Sequence, residues 1–146
     1  MGFLTDLEYS RKSVQGALQA LSGVFPGWGL NPEKKGVDLV HPLFVGGCEV
    51  KRDRRAAETG NVFFETSCSG KPSGLYRYED CVFWFQWDDL GGLLFDRRTL
   101  LNQAEPLAFR KLEGVGDGNA SGFLIKRKEL EKFALLTFPP YNQDGL

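Results

Sequence analysis

The chain has 146 residues, of which 42% are hydrophobic and 25% are charged, and its net charge is −1 at pH 7. These values are typical of one domain with a core of ordinary size, and they exclude a polycation that binds nucleic acid by bulk attraction. We therefore expect a single domain over residues 1–146, with its core at about 5–136 and a C-terminal tail at 137–146. No apolar run approaches the ~20 residues of a membrane span and no secretory signal is present, so we expect a cytoplasmic protein without membrane contact.

The first half of the chain predicts one helix followed by three strands. Thr5 and Glu8 form a capping box at the start of a helix over 5–21, whose leucines fall on one face. A loop rich in glycine and proline then continues to about residue 36. The predicted strands are Val37–His41, Phe44–Lys51 and Asn61–Ser67.

The second half predicts an aromatic strand, a hairpin and short helices. Glu79–Trp87 has the sequence EDCVFWFQW, which is typical of a strand buried on both faces. Asp96 is expected to cap a helix over Arg97–Ala104. This order predicts an α/β or α+β domain with helices on the faces of a sheet. The other predicted elements are strands at Leu93–Phe95, Phe109–Leu112 and Gly122–Ile125 and a helix at Lys128–Leu135.

Two acidic residues and a lysine interrupt the predicted apolar strands. Glu49 and Lys51 are two residues apart, so they lie on one face of their strand, and a tight connection would place Asp38 beside Glu49. Two carboxylates there offer the oxygen ligands that Mg²⁺ prefers, and a lysine can orient water or neutralise a phosphate. The three residues are a candidate site for phosphodiester hydrolysis, although such a pair on an exposed strand edge commonly has no such role.

Basic and polar residues near this site are candidates for contacts with the phosphates of a nucleic acid. Some follow Lys51 directly, and others lie in the loop GKPSG, which equally suits a plain turn. This loop is too short for the phosphate loop of nucleoside triphosphatases. The candidate DNA contacts are Arg52, Arg54, Arg55, Lys71 and Ser73.

Ordered motifs extend this pattern along the chain. They are EVKRD at 49–53, TGNVFFE at 59–65, GKPSGL at 70–75, EDCVFWFQ at 79–86 and GDGNAS at 116–121. With Asp38 they resemble the PD-(D/E)xK nuclease superfamily, and within it the small phage and virus nucleases. The resemblance covers roughly residues 36–130. It departs from the family pattern where Val37 replaces the proline before Asp38 and where TSCS follows Glu65 in place of a charged stretch.

The resemblance implies an α/β restriction-endonuclease-like fold, with a central mixed β-sheet flanked by helices, and Mg²⁺-dependent cleavage of DNA, with Mn²⁺ able to substitute. Asp38 and Glu49 would be metal ligands, and Lys51 would orient water or stabilise charge. Glu65 would be a second ligand or an accessory base. An endonuclease of phage or virus type would act in DNA replication, recombination or processing, in the host cytoplasm if viral. A homodimer would supply two sites for the two strands of a duplex.

Other interpretations stay open. One is a non-catalytic module that binds nucleic acid or protein on a nuclease-like fold, which convergence of the three site residues would disfavour. Another is an acyl-transfer enzyme that uses Cys48 or Cys68, but His41 is the only histidine, and it also suits a structural role. Asp53 and Glu8 could extend the metal site, although a salt bridge and a helix cap are the simpler roles.

Overall fold

The computed structural model describes residues 3–33, 36–53, 55–77, 80–115 and 119–140, with the backbone alone at residues 3–10 and 115. The helices within these residues are α1 (Phe3–Val24), α2 (Ala56–Thr59), α3 (Arg97–Leu107) and α4 (Arg127–Glu131), and a 3-10 turn covers Gly74–Tyr76. The strands are β1 (Gly29–Leu30), β2 (Leu39–Val40), β3 (Gly47–Arg52), β4 (Asn61–Cys68), β5 (Lys71–Pro72), β6 (Cys81–Asp88), β7 (Gly91–Asp96), β8 (Arg110–Val115), β9 (Ala120–Lys126) and β10 (Leu136–Phe138).

The first sheet is mixed and has the strand order β1-β2-β3-β6-β7-β10. β3 and β6 pair in parallel, whereas the other neighbouring strands pair antiparallel. In the parallel register Glu49 lies beside Trp84 and Lys51 beside Gln86. β6 has a strand on each side and is mostly buried, which agrees with its aromatic sequence. The prediction of an α/β fold with a mixed sheet is confirmed.

A second, antiparallel sheet with the order β5-β4-β9-β8 departs from the prediction of one central sheet. The predicted strand Asn61–Ser67 becomes β4 and pairs with β9 instead of joining the mixed sheet. Val62 and Phe64 are buried and alternate with more exposed residues along β4. Alternation predicts a strand and its buried face, but the pattern is the same whichever sheet the strand enters.

Two apolar layers pack on opposite faces of the mixed sheet. On one face, Leu21 of α1 packs in a cluster with Phe85, and Leu18 is partly buried against it, so the described part of the predicted leucine stripe faces the sheet. On the other face, Trp84 packs with Phe64 of the second sheet and with Leu100 of α3. Burial of each such side chain contributes about 1.5–3 kcal/mol, so both layers stabilise the sheet that carries the candidate site.

The helix starts agree only partly with the sequence signals. Asp96 caps α3 as predicted, because its Oδ2 accepts a hydrogen bond from the Thr99 N–H at 3.2 Å. α1 begins at Phe3, so Thr5 lies within the helix and not at its cap, contrary to the predicted capping box. None of the helices in the described ranges combines the length and apolarity needed to cross a bilayer.

The C-terminal elements also differ from their predicted bounds. The predicted helix Lys128–Leu135 is shorter and begins one residue earlier, as α4. Leu136–Phe138 forms the edge strand β10 on β7, although residues from 137 onward are predicted as tail. The ring of Phe138 lies 5.1 Å from that of Phe85, so aromatic burial offsets the entropy lost when this backbone is ordered. Residues 141–146 lie outside the described ranges.

Candidate functional site

Asp38 and Glu49 are brought together by the antiparallel pairing of β2 and β3. Leu39 lies opposite Cys48, so the two acidic residues form the next pair in this register. Oδ2 of Asp38 accepts a hydrogen bond from the Val50 N–H at 2.9 Å, and the two carboxyl groups are hydrogen-bonded to each other. The structure therefore contains the acidic pair that the spacing predicts.

Glu49 is buried, with 3% of its surface exposed. Burial raises the pKa of its carboxyl from 4.5 to about 9, and the hydrogen bond and negative charge of Asp38 add to this shift. The ammonium group of Lys51 acts in the opposite direction and lowers that pKa. With no cation bound, the Glu49 carboxyl therefore keeps its proton at neutral pH.

Lys51 lies on the same face of β3 as Glu49. Val50, between them, packs in the α1 layer, so the period of two places Glu49 and Lys51 on the face that also carries Trp84. Lys51 is exposed, whereas Glu49 is buried. The positively charged ammonium group of Lys51 therefore lies beside the carboxyl pair, on the side that solvent reaches.

The acidic pair fits a hard divalent cation. Its donors are carboxyl oxygens, and a bound cation would take the place of the proton on Glu49 and offset the repulsion between the two groups. Mg²⁺ keeps several of its waters, so two protein carboxylates suffice as ligands. Among the residues that the structure describes, no group of three or more His, Cys, Asp or Glu side chains is placed to hold one metal ion. Asp38 and Glu49 are therefore the two candidate ligands.

A cavity of about 800 Å³ adjoins this site, and we refer to it as the Lys51 cavity because Lys51 lines it. Residues of both sheets form its walls, including Glu65 of β4. Asp38 and Lys51 shift the pKa of Glu49, whereas Glu65 is not among the charges that do so. Gly74, in the turn after β5, has a φ of +50° and packs against the Glu65 carbonyl. This close contact fixes the backbone of β4 at Glu65. Glu65 thus lies on the cavity wall, and its catalytic role stays a prediction.

Gln86 is a candidate that the sequence pattern does not indicate. It lines the Lys51 cavity, and its Oε1 accepts a hydrogen bond from Nε1 of Trp84 at 2.9 Å. One signal could have found it, namely a single uncharged polar residue in the aromatic run VFWFQW. A buried amide requires hydrogen-bond partners, so its presence in such a strand calls for an explanation.

The candidate DNA contacts have different surroundings. Arg52 forms an ion pair with Asp89, with 3.1 Å between Nη2 and Oδ1. Arg55 is exposed and lines the Lys51 cavity, and Lys71 is exposed on β5. Ser73 is buried, and its Oγ has no hydrogen-bond partner among the described residues. Contacts between these residues and DNA therefore stay predictions, with Arg55 the best placed.

Arg54 and the side chain of Glu8 lie outside the described residues. His41 has a structural role, because both of its ring nitrogens are engaged. Its Nδ1 accepts from the Leu43 N–H at 3.0 Å, and its Nε2 lies 2.8 Å from the Pro26 carbonyl oxygen. With both nitrogens engaged, His41 is not placed to activate a cysteine.

The three cysteines are free thiols. Burial raises the pKa of Cys48 well above its ordinary value and that of Cys81 to about 11. Because the thiolate is the reactive species, neither buried thiol is suited to nucleophilic attack. The acyl-transfer interpretation through Cys48 therefore has no support in the geometry.

Asp53 stabilises the chain between β3 and β4. Its Oδ1 accepts hydrogen bonds from the N–H groups of Arg55 at 2.8 Å and Ala56 at 3.1 Å, and its Oδ2 accepts from Phe63 N–H at 3.0 Å. Both oxygens are thus engaged by backbone donors. This arrangement disfavours a metal role, whereas the predicted salt bridge with an arginine stays a prediction because Arg54 lies outside the described residues.

Replacing Asp53 with alanine is expected to lower the free energy of unfolding by about 2 kcal/mol, because three backbone donors lose their acceptor. Urea denaturation measures this change. Asp53→Asn is the matched control, since it keeps one acceptor oxygen and should lose about half as much. An unchanged midpoint in Asp53→Ala would contradict the assignment of Asp53 as a backbone cap.

The site therefore combines a hydrogen-bonded pair of carboxyl groups, an adjacent lysine and a cavity that this lysine lines. Comparisons of the chain with protein-family models, with curated proteins and with solved structures give no match. The function is accordingly inferred from the chemistry of the site.

Proposed function

We propose that the chain is a metal-dependent nuclease that hydrolyses DNA phosphodiester bonds as an endonuclease, on a restriction-endonuclease-like version of its α/β fold. The observation that supports it is the pairing of Asp38 with the buried Glu49, with Lys51 beside them. The resemblance of the motifs to phage and virus nucleases suggests a setting in viral DNA replication, recombination or processing. Two copies of the chain would serve the two strands of a duplex.

Each residue of the site has a chemical task in this proposal. Asp38 and Glu49 would hold Mg²⁺, whose chemistry is to activate water and to neutralise charge on the phosphate. Lys51 would orient the attacking water or stabilise the negative charge that develops on the phosphate oxygens. Water is the nucleophile, so no covalent bond forms between the chain and DNA. Arg55 adds positive charge for the neighbouring phosphates.

The test is a cleavage assay on linear, circular and branched DNA with Mg²⁺, with Mn²⁺ or with EDTA. We expect cleavage with either cation and none with EDTA. Asp38→Asn and Glu49→Gln should each reduce the rate by at least about a hundredfold, because each removes a charged ligand. Glu105→Gln is the matched control, since Glu105 is an exposed carboxylate on α3.

The outcomes separate a nuclease from a binding module. Cleavage that is equal in wild type, Asp38→Asn and Glu49→Gln would show that the acidic pair is not the site. A wild-type chain that binds DNA but cuts none of these substrates with either cation would favour the non-catalytic module. Retained cleavage in Glu105→Gln would exclude a general effect of lost negative charge.

A further inference from the structure

The Lys51 cavity has the size of a small-ligand site and contains both polar and aromatic groups. The mixed sheet contributes Lys51, Trp84 and Gln86, and the second sheet contributes Phe63 and Glu65. Its volume of about 800 Å³ lies within the range of about 300–1,000 Å³ that small molecules occupy. This space suits roughly one or two nucleotides out of a base stack, and it is too small for a length of duplex.

Gln86 presents a hydrogen-bond donor at the cavity wall. Its Oε1 must be the atom that faces Trp84, because the indole N–H can only donate. The amide nitrogen has no acceptor among the described residues, and it is not one of the fully buried polar atoms without a partner, so it is open to the cavity. An N–H group at this position is available to a ligand that carries an acceptor.

Two cations in the cavity wall are not held in ion pairs. Lys51 and Arg55 form no ion pair with any described residue. Arg52, which also lines the wall, is paired with Asp89. The carboxylates of Asp53 and Glu65 line the wall as well, so the wall as a whole has no excess of positive charge. Lys51 and Arg55 individually can contact phosphates, such as those of a phosphodiester backbone.

We propose that the Lys51 cavity holds an unpaired nucleotide of the substrate next to the bond that is cut, so that the substrate is single-stranded or splayed DNA. Gln86 donates to an acceptor on the base, and the half-buried ring of Phe63 offers a stacking surface. Lys51 and Arg55 contact the adjacent phosphates. This inference rests on the proposed function, because Lys51 is the residue that joins the cavity to the acidic pair.

Equilibrium binding of labelled DNA tests the inference without cleavage. Single-stranded DNA of about 12 nucleotides and a blunt duplex of the same length are titrated with the wild-type chain in EDTA, and fluorescence anisotropy reports binding. We expect the single strand to bind at least about tenfold more tightly. Equal binding, or tighter binding of the duplex, would overturn the inference.

Two variants test the individual contacts, with melting temperatures measured to verify folding. Gln86→Glu keeps the acceptor for Trp84 but replaces the donor, and we expect single-strand binding to weaken about tenfold. Arg55→Gln changes an exposed side chain, so it should fold normally, bind about threefold more weakly or worse, and show a shallower salt dependence. Arg98→Gln, an exposed arginine on α3, should bind like wild type. Arg55→Gln that behaves like Arg98→Gln would contradict the inference.

The position of the base is tested by photocrosslinking. Single-stranded DNA that carries 5-iodouracil is bound to the wild-type chain and irradiated, and crosslinked peptides are identified by mass spectrometry. Crosslinks at Phe63 or Trp84 would support the inference. Crosslinks confined to exposed aromatic residues elsewhere, such as Tyr76 and Phe109, would overturn it.

Failure of this inference can be distinguished from failure of the proposed function. A chain that cuts duplex DNA through Glu49 but shows no single-strand preference would retain the nuclease function and overturn the cavity assignment. A chain that prefers single strands through Arg55 but cuts no DNA would retain the cavity assignment and overturn the nuclease function.

Discussion

Raising the pH from about 5 to about 8 without divalent cations is expected to lower the free energy of unfolding by about 4 kcal/mol through Glu49. Its pKa is raised from 4.5 to about 9 in the folded chain, mainly by burial. Between these values the folded state keeps a proton that the unfolded state releases. The stabilisation is therefore complete below the unfolded pKa and is lost as the pH rises towards 9. Urea denaturation at a series of pH values measures how the free energy of unfolding changes with pH.

Glu49→Gln is the variant that isolates this effect, because an amide fits the same space and does not titrate. It should lose most of the pH dependence between pH 5 and 8, whereas the exposed control Glu105→Gln should retain it. In wild type, the stabilisation by added Mg²⁺ should increase with pH, since the cation takes the place of the proton. An identical pH dependence in Glu49→Gln and wild type would mean that this carboxyl is ionised in the folded chain.

The meeting of Asp38 and Glu49 could be predicted because it depends on local rules. Period-two alternation fixes the relation of Glu49 to Lys51, and a short connection restricts β2 and β3 to antiparallel neighbours. The burial of β6 could be predicted in the same way from its run of aromatic side chains. These parts of the site follow from residues close together in the sequence.

The remaining features depend on contacts between distant parts of the chain. The alternation along Asn61–Ser67 predicts a strand, but pairing with β9, about sixty residues later, decides which sheet it enters. Gln86 becomes a candidate only when β3, β6 and β4 enclose a common cavity. The raised pKa of Glu49 likewise depends on the burial of its carboxyl, which the spacing of residues in the sequence does not predict.

A buried ion pair that joins the two sheets gives the second large expected effect. Nε of Arg127, at the start of α4, lies 2.6 Å from Oδ2 of Asp88, at the end of β6, and its Nη1 contacts Glu131. The Asp88 side chain is 1% exposed and the Arg127 side chain 9%. Arg127→Met is expected to lower the free energy of unfolding by about 3–5 kcal/mol, because it leaves a buried carboxylate without its cation. Urea denaturation at neutral pH measures this loss.

The double variant Arg127→Met with Asp88→Asn separates loss of the pair from loss of packing. Asp88→Asn replaces the buried carboxylate with a neutral amide, which needs no cation. In the wild type the Leu90 nitrogen lies 2.8 Å from Oδ1 of Asp88, and the amide oxygen can still accept this hydrogen bond. The double variant should therefore recover a large part of the stability lost in the single variant. Lys111→Met is the control for an exposed pair, and it should cost less than about 1 kcal/mol. If Arg127→Met costs no more than Lys111→Met, the two sheets are held by apolar contacts alone, and this ion pair adds no stability.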